Sequence, residues 1–255
     1  MNKIYKVTNV KKSGSHNSFF TKKIVLILIG LLGTWANMNA QVTLTATAAT
    51  LAGSYTTLGG AFTAINAGTH QGAIVISINA NTIEGATVAS LNSSGTGAAS
   101  YATVLIQPTA NNLTISGNST TTVVKLNGAD NVTIDGFFGG TRQLTITNTN
   151  PSLTDVSACI WLACASASDG ATNNNIKNCI VKGAGVTITF INIVQSGTVL
   201  GGIAEIGNSN NKYQNNLVTG GESGIAVVGP TGNEVGTLIS GNTIGSIIAA
   251  DKNEF

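Results

Sequence analysis

Apolar and polar residues alternate in short runs over most of the chain. Examples are AIVISI (73–78), TVLIQ (103–107) and LTITN (144–148), and Gly, Asn, Ser and Thr separate such runs. A period of two is typical of half-buried β-strands, and the separating residues are typical of tight turns. The pattern therefore predicts an all-β region made of many short strands.

A helical period occurs once, ahead of these strands. Residues 41–53 alternate like a first strand, and Leu58, Phe62 and Ile65 then fall at positions i, i+4 and i+7. These three side chains share one face of a helix. We predict an amino-terminal strand and a short capping helix within residues 41–72, and no other substantial helix.

Four later segments can be superimposed on one another, with offsets of 42, 37 and 26 residues. They are VTIDGFFGG (132–140), NNIKNCIVKG (174–183), NKYQNNLVTG (211–220) and TLISGNTIGS (237–246). The first column of aligned positions contains Ile134, Ile176, Tyr213 and Ile239. The second contains Gly136, Asn178, Asn215 and Gly241, and the third contains Val181, Val218 and Ile244. Such degenerate self-similarity predicts a repeat architecture of variable coil length, in which some intervals can hold more than one coil.

These columns favour a β-solenoid over residues 73–255. Strands of neighbouring coils stack about 4.8 Å apart, so inward aliphatic side chains form continuous core columns. The corners need left-handed backbone conformations, which Gly adopts without strain and Asn tolerates best among the other residues. We therefore place the aligned Gly and Asn residues at corners, where Asn side chains can form a hydrogen-bonded ladder. A β-sandwich or jelly roll also has short strands, but it needs neither aligned corners nor a helix ahead of them.

Residues 1–40 have the layout of a secretory signal peptide. Lys22 and Lys23 precede the apolar run IVLILIGLL (24–32), and weakly polar residues follow. Cleavage after Ala40 would leave Gln41 as the new amino terminus. An uncleaved anchor is the alternative, but the run is shorter than the ~20 apolar residues that a spanning helix needs. We predict an exported protein without a transmembrane segment after signal removal.

Removal of the signal reverses the sign of the net charge. The full chain carries 12 basic and 10 acidic residues, and six of the basic residues but none of the acidic ones lie within 1–40. The remainder has six basic against ten acidic residues, a net charge of −4. A mildly acidic chain with a single Arg has no electrostatic footprint for nucleic acid, so we exclude that partner.

Three cysteines remain after signal removal, namely Cys159, Cys164 and Cys179. The first two lie in the apolar run ACIWLACA, where we expect small hydrophobic core residues. An odd number leaves a free thiol or an intermolecular bond, and a single Cys164–Cys179 disulfide is the alternative. No His or carboxylate pattern beside them indicates a metal site or a nucleophile, so we predict no metal and no cofactor.

Four stretches resemble a known family. They are the signal ending NAQ and the segments GSYTTLGGAFTAINAGTHQGAIVISI (53–78), YATVLIQPTANNLTISG (101–117) and LNGADNVTIDG (126–136). They are similar to large exported surface proteins of the Bacteroidetes type, which have right-handed parallel β-helix repeats of the pectin-lyase-like fold. The resemblance implies a structural stalk or adhesin-like module that is extracellular or on the outer-membrane surface. Its partners would be surface glycans or proteins of host or neighbouring cells.

Members of that family are often longer and often end in a sorting domain. This chain ends at GNTIGSIIAADKNEF, directly after a repeat. The resemblance therefore implies that the coils are truncated at the carboxyl terminus. Because an uncapped coil exposes strand edges, we expect it to permit end-to-end self-association.

A polysaccharide lyase or glycoside hydrolase is the main alternative, because many parallel β-helices cleave acidic polysaccharides. Such chemistry needs clustered or paired carboxylates, and a lyase also needs a basic residue. Only Asp130, Asp135 and Arg142 come close together in the sequence, and the Asp-Asn and Asp-Gly pairs there are typical of turns. We keep this trio as the candidates for catalysis and predict a non-catalytic protein.

Two minor alternatives concern binding. Thr145 with Thr147, and Thr187 with Thr189, can share a strand face, as in flat arrays that bind ice, although β-branched residues suit any solvated strand. A strip of exposed Tyr and Trp would bind carbohydrate, but these residues lie in different contexts along the chain. His70 follows the predicted helix in a polar loop, where we expect it to be solvated.

Overall fold

The computed structural model describes residues 40–230 and 235–245. The predicted signal peptide up to residue 39 and the final residues, 246–255, lie outside the described residues. Signal cleavage between Ala40 and Gln41 and the truncated end therefore stay predictions. Within the described ranges the chain forms one helix, α1 (Leu58–Asn66), and 21 strands.

Most of the strands belong to three sheets, here named A, B and C. Sheet A contains β1 (Val42–Ala49), β2 (Ala52–Tyr55), β3 (His70–Ile78), β6 (Tyr101–Pro108), β9 (Val132–Asp135), β14 (Asn175–Lys177), β17 (Lys212–Gln214) and β20 (Leu238–Ser240). Sheet B contains β4 (Thr82–Gly85), β7 (Leu113–Gly117), β12 (Leu144–Asn148), β15 (Cys179–Lys182), β18 (Leu217–Thr219) and β21 (Thr243–Ile244). Sheet C contains β5 (Ala89–Asn92), β8 (Thr122–Asn127), β13 (Ala158–Ala163), β16 (Ile191–Ser196) and β19 (Ser223–Val227). A separate hairpin pairs β10 (Phe137–Phe138) with β11 (Thr141–Arg142).

The chain passes through sheets A, B and C in turn and then repeats the circuit. The strands β3, β4 and β5 form the first coil, and β17, β18 and β19 form the fifth. Strands of successive coils pair in parallel, whereas β1 pairs antiparallel with β2 and β3. The structure is thus a parallel β-helix of about five turns with a single helix among its described residues, which confirms the predicted fold class.

Helix α1 is tied to the first coil at its amino terminus. The Thr57 hydroxyl accepts a hydrogen bond from Gly60 N–H at 3.0 Å, as an N-cap residue does. The carboxylate of Glu84, in β4, accepts the N–H groups of Leu58 and Gly59 at 3.0 and 2.9 Å. A negative charge at this end also complements the helix dipole. Glu84 therefore joins the helix to the coil below it.

The apolar face of α1 is fully buried against the first coil. Leu58, Phe62 and Ile65 are each 0% exposed, together with Ala61. The helix packs on all three strands of that coil, β3, β4 and β5. The side chains with helical spacing are thus the ones that cover the end of the core.

The first core column runs through four coils in strict register. Ile134 pairs with Ile176, which pairs with Tyr213, which pairs with Ile239. The first three are 0% exposed, but Ile239 is 48% exposed because no described strand packs on its far side. The interpretation of Ile239 as a core residue is therefore wrong for the described coils.

The third column lies in sheet B. Val181 pairs with Val218, which pairs with Ile244. The two valines are fully buried, and Ile244 is partly buried against the same core. Each of the 42- and 37-residue intervals holds a single coil, so the variable length comes from the loops at the corners.

Two pairs of consecutive asparagines, Asn173–Asn174 and Asn210–Asn211, have a different role for each member. Asn173 and Asn210, the first residues of their pairs, adopt left-handed φ values of 58° and 60° at the corner between sheets C and A. The second residues, Asn174 and Asn211, are buried. Asn174 N–H donates to Asn211 Oδ1 at 2.8 Å, and the two side-chain amides donate to backbone carbonyls of the preceding coil. The corner role was predicted from the sequence, whereas the buried role was not.

Candidate functional site

The corner between sheets A and B brings together most of the polar residues singled out from the sequence. Asn215 Nδ2 donates to Asn178 Oδ1 at 2.7 Å, and Asn178 Nδ2 donates to Asp135 Oδ1 at 2.7 Å. These bonds cross three successive coils, so they form a ladder along the solenoid axis. We call Asp135, Asn178 and Asn215, together with Arg142, the corner ladder.

Backbone conformation explains why asparagine and glycine occupy this corner. Asn178, Asn215 and Gly241 have left-handed φ values of 55°, 52° and 64°. Gly136 does not share this conformation, which corrects its assignment to a left-handed corner. Glycine is needed there for space instead, because a Cβ atom would lie 2.4 Å from the Asn178 carbonyl oxygen.

The third coil carries an insertion directly after Gly136. Residues 137–142 form the hairpin β10–β11, whose turn residues Gly139 and Gly140 have φ values of 57° and 94°. Two central residues with positive φ match a type I′ turn, the turn that best fits the twist of a two-residue hairpin. Gly-Gly after two aromatic residues is the sequence signal for this hairpin, and the superposition of VTIDGFFGG as an ordinary corner missed it.

Arg142, the last residue of the hairpin, forms one end of the corner ladder through its bonds to Asn215. Its Nε donates to the Asn215 backbone carbonyl and its Nη2 donates to Asn215 Oδ1, both at 2.6 Å. Asp135, at the other end, forms an ion pair with Lys177 at 3.1 Å and accepts from Phe137 N–H at 3.1 Å. Asp135 and Arg142 therefore lie at opposite ends of one hydrogen-bonded chain.

Asp130 is not part of this site. It precedes β9, while Asp135 ends that strand, so the two carboxylates lie at opposite corners of sheet A. Asp130 Oδ1 accepts from Thr172 N–H at 2.6 Å and from the Thr172 hydroxyl at 2.7 Å. Burial and the charge of Asp169 raise the pKa of Asp130, although the Thr172 hydrogen bonds oppose this shift. The sequence trio is thus separated by the fold.

Asp169 was missed by sequence reasoning because its partner is distant along the chain. Ser93 Oγ donates to Asp169 Oδ2 at 2.6 Å, although 76 residues separate the two. Gly128 lies against Asp169, since a Cβ atom there would be 2.9 Å from the Asp169 carboxyl carbon. Burial and the charges of Asp130 and Asp169 also raise the pKa of the Tyr101 hydroxyl. The hydrogen bond between Ser93 and Asp169 therefore links the first coil to the third.

Three surface grooves have volumes of about 460, 430 and 470 Å³. The first lies beside α1, the second at the corner between sheets C and A, and the third on the outer face of sheet B. Their polar linings consist mainly of Asn, Thr and Ser, with Glu84 in the first, Lys212 in the second and Lys182 in the third. Since Glu84 already caps α1, none of these three grooves presents an uncommitted carboxylate.

The groove on sheet B contains one of the two threonine pairs. Thr145 and Thr147 point outward from β12 and are half-buried. Thr187 and Thr189 do not lie in a strand, because β16 begins only at Ile191. Thr189 is buried and accepts from Ala184 N–H at 2.8 Å. The expectation of two threonine pairs on strand faces is therefore wrong for the second pair.

His70 is buried, at 1% exposed, which corrects the expectation that it is solvated. It begins β3 and pairs with Ala49 of β1 rather than lying in a loop. Its Nδ1 lies 2.6 Å from the Thr50 carbonyl oxygen, and its Nε2 lies 2.5 Å from the Tyr55 hydroxyl. Both ring nitrogens are thus engaged in joining β1, β2 and β3.

Trp161 lies on the outer side of sheet C but is only 6% exposed. Its Nε1 donates to Ser196 Oγ at 2.9 Å, and the Lys125 ammonium lies 4.2 Å from its ring centroid. Burial lowers the pKa of Lys125. Leu200 packs over the same cluster, so this indole stabilises a loop rather than presenting a stacking surface.

All three cysteines are free and buried, so the Cys164–Cys179 disulfide is not formed. Burial raises the pKa of Cys159 and of Cys179 to about 12 each. A thiolate, the reactive form, is strongly disfavoured in such surroundings. Cys159 and Cys179 pack in the main core.

We expect the thiols to be protected in the folded protein. Cys159 and Cys179 should react with a disulfide reagent at least about a hundredfold more slowly than free cysteine at mildly alkaline pH, because burial suppresses their thiolates. Cys164 should also react slowly, because its side chain is buried away from the reagent. Denaturation in urea without reductant should expose all three thiols, so that all three react with the reagent. Fast native labelling of one thiol, or only one thiol after denaturation, would contradict the structure.

No group of three or more His, Cys, Asp or Glu side chains that could hold a metal ion occurs within residues 40–230 and 235–245. The part of the chain that the structure describes also contains no helix of the length and apolarity needed to cross a membrane.

No protein-family model, curated protein or solved structure matches this chain. The parallel β-helix and the contacts of its own residues are therefore the basis for any functional argument.

Proposed function

We propose that this chain is an exported, non-catalytic β-helix protein that serves as a structural stalk or adhesin-like interaction module. The observation that carries this proposal is the lining of the three grooves, whose polar residues are mainly Asn, Thr and Ser and whose one carboxylate, Glu84, is occupied. A cleft lined by several free carboxylates would favour a polysaccharide lyase or hydrolase instead.

The carboxylates outside the grooves support the same proposal. Most of those described have a structural partner within hydrogen-bond distance. The pairs are Asp130 with Thr172, Asp135 with Asn178, Asp155 with Asn150, Asp169 with Ser93, and Glu205 with Thr198. Carboxylates that hold loops and coils together are poorly placed to act as a general acid and base on a substrate.

Export is supported by the signal-like layout of residues 1–40 and by the resemblance to Bacteroidetes-type surface proteins of the pectin-lyase-like fold. Partners would then be surface glycans or proteins of host or neighbouring cells. The exposed Leu238 and Ile239 of β20 would also allow a second copy to pack end to end.

Two measurements on the natural protein test the proposal. An immunoblot of fractionated source cells, with an antibody against residues 41–245, should place the protein in the surface or extracellular fraction. Incubation of the full chain with neutral and acidic polysaccharides should release no new reducing ends. A cytoplasmic band would overturn export, and polysaccharide cleavage that purifies with the protein would overturn the non-catalytic assignment.

A further inference from the structure

The last described coil presents an open strand edge, because sheet A ends at β20 and no described strand lies beyond it. Leu238 N–H donates to the Asn211 carbonyl at 2.9 Å. The Ser240 carbonyl accepts from Asn215 N–H at 3.0 Å, so the first and third residues of β20 bond toward β17. Backbone groups of successive residues in a strand point to opposite sides. The N–H and C=O groups of Ile239 therefore face the open edge, and within the described ranges they have no partner.

This edge lacks the features that usually protect one. Natural sheets block exposed edges with charged residues, proline or a covering helix. Residues 235–245 contain no charged residue and no proline. At the opposite end, α1 packs on all three strands of the first coil with its apolar face fully buried. A second copy can therefore stack on the last described coil but not on the first.

The free backbone groups of Ile239 are complementary to themselves. Two antiparallel strands related by a two-fold axis can place a residue opposite its own copy, and in a hydrogen-bonded pair those two residues exchange both N–H···O=C bonds. Such a pair needs one free N–H and one free C=O on a single residue. The same axis extends the core column of Ile176, Tyr213 and Ile239 with the Ile239 of a second copy. This isoleucine, which is 48% exposed, is then covered.

We propose that two copies of this chain form a closed dimer, in which β20 pairs antiparallel with β20 of the second copy through Ile239. The interface is isologous, since both copies contribute the same strand, so it closes at two copies and does not extend into a filament. This inference rests on the proposed function, because it specifies how a second copy packs against the end of the interaction module.

Sedimentation of the full chain tests the interface over about 1–500 µM, because an interface built on a short strand pair is expected to be weak. The measured mass should rise from one copy to two and no further. Ile239→Pro removes the free N–H but none of the bonds to β17, and proline is tolerated on edge strands. This variant should stay folded by circular dichroism and weaken the dimer at least about tenfold, since each copy loses a donor. Ile83→Lys, at a side chain that is 74% exposed on the first coil, is the control and should dimerise as the unaltered chain does.

Cross-linking tests the register independently of that variant. With Ile239 opposite its own copy, Leu238 lies opposite Ser240 of the second copy in a non-hydrogen-bonded pair, with about 4.5 Å between the Cα atoms. That distance permits a disulfide. An oxidised mixture of Leu238→Cys and Ser240→Cys chains should therefore form a cross-linked dimer. Neither variant should do so alone, because identical residues lie further apart.

Each contrary result overturns a different part of the proposal. A single copy at every concentration would overturn the dimer, whether residues 246–255 or another protein covers β20 instead. Assemblies larger than two copies would overturn the closed interface, and a dimer that Ile239→Pro leaves unchanged would overturn its location. The proposed function is judged separately, by cell fractionation and polysaccharide cleavage, so a monomer found at the cell surface would refute the dimer alone.

Discussion

Replacing Asn211 by alanine is expected to lower the free energy of unfolding by about 3–5 kcal/mol. The Asn211 side chain is fully buried, and its Nδ2 lies 2.7 Å from the Asn208 carbonyl, 2.8 Å from the Ala171 carbonyl and 3.0 Å from Gln195 Oε1. Its Oδ1 accepts from Asn174 N–H at 2.8 Å. Alanine would remove the partner of the Asn174 N–H and of the Asn208 and Ala171 carbonyls, whereas Gln195 Oε1 keeps its hydrogen bond from the Tyr213 hydroxyl. Each buried group left unsatisfied costs about 1–3 kcal/mol.

The adjacent Asn210 provides the matched control. Asn210 is exposed and left-handed, with φ of 60°, so glycine can replace it without backbone strain. Urea denaturation followed by circular dichroism should therefore show a change within about 0.5 kcal/mol for N210G. If N210G and N211A lowered the free energy of unfolding equally, the exposed and the buried asparagine would contribute alike to stability, which would contradict the structure.

Replacing Phe62 by alanine is expected to cost about 3–5 kcal/mol of stability. Phe62 is fully buried in the apolar face of α1, which packs on β3, β4 and β5. The loss of the ring leaves a cavity between the helix and the end of the core. Because a loosened helix uncovers strand edges, we also expect F62A to form larger assemblies by light scattering.

Thr63, the next residue, is exposed on the same helix and serves as the control. Its hydroxyl donates only to the Gly59 carbonyl at 2.8 Å, within the helix itself. T63A should therefore change the free energy of unfolding by no more than about 0.5 kcal/mol and should not alter the assembly state. If F62A and T63A behave alike, α1 does not hold the end of the solenoid together.

Local backbone physics explains why so much of the fold can be predicted from the sequence. Strand alternation depends on the two-residue period of side chains, and the spacing of Leu58, Phe62 and Ile65 depends on the helical period. Left-handed corners select Asn and Gly through the steric cost of a Cβ atom. These signals lie within a few residues of one another, so a single sequence displays them.

The candidate site depends on contacts that no local signal reports. Arg142 reaches Asn215 across 73 residues, and Ser93 reaches Asp169 across 76. Both contacts arise because stacking places residues of different coils about 5 Å apart for each coil crossed. Asp130 and Asp135 are close in the sequence but lie at opposite ends of β9, because an extended strand separates its two ends.

The burial of polar side chains also depends on contacts between residues that are distant in the sequence. His70 and Asn211 would be assigned to solvent by their residue type, yet both are buried because backbone groups of neighbouring strands need partners. The hairpin at Phe137–Arg142 could have been recognised from Gly-Gly, but its attachment to Asn215 could not.

The sequence by itself determined the all-β repeat pattern, the helix ahead of the coils and the residue types at the corners, because each follows from short-range backbone geometry. Only the tertiary structure decided which polar groups meet, which are buried and which side chains remain for a ligand. Those outcomes depend on the register in which coils of unequal length stack, and that register is set by the whole core at once.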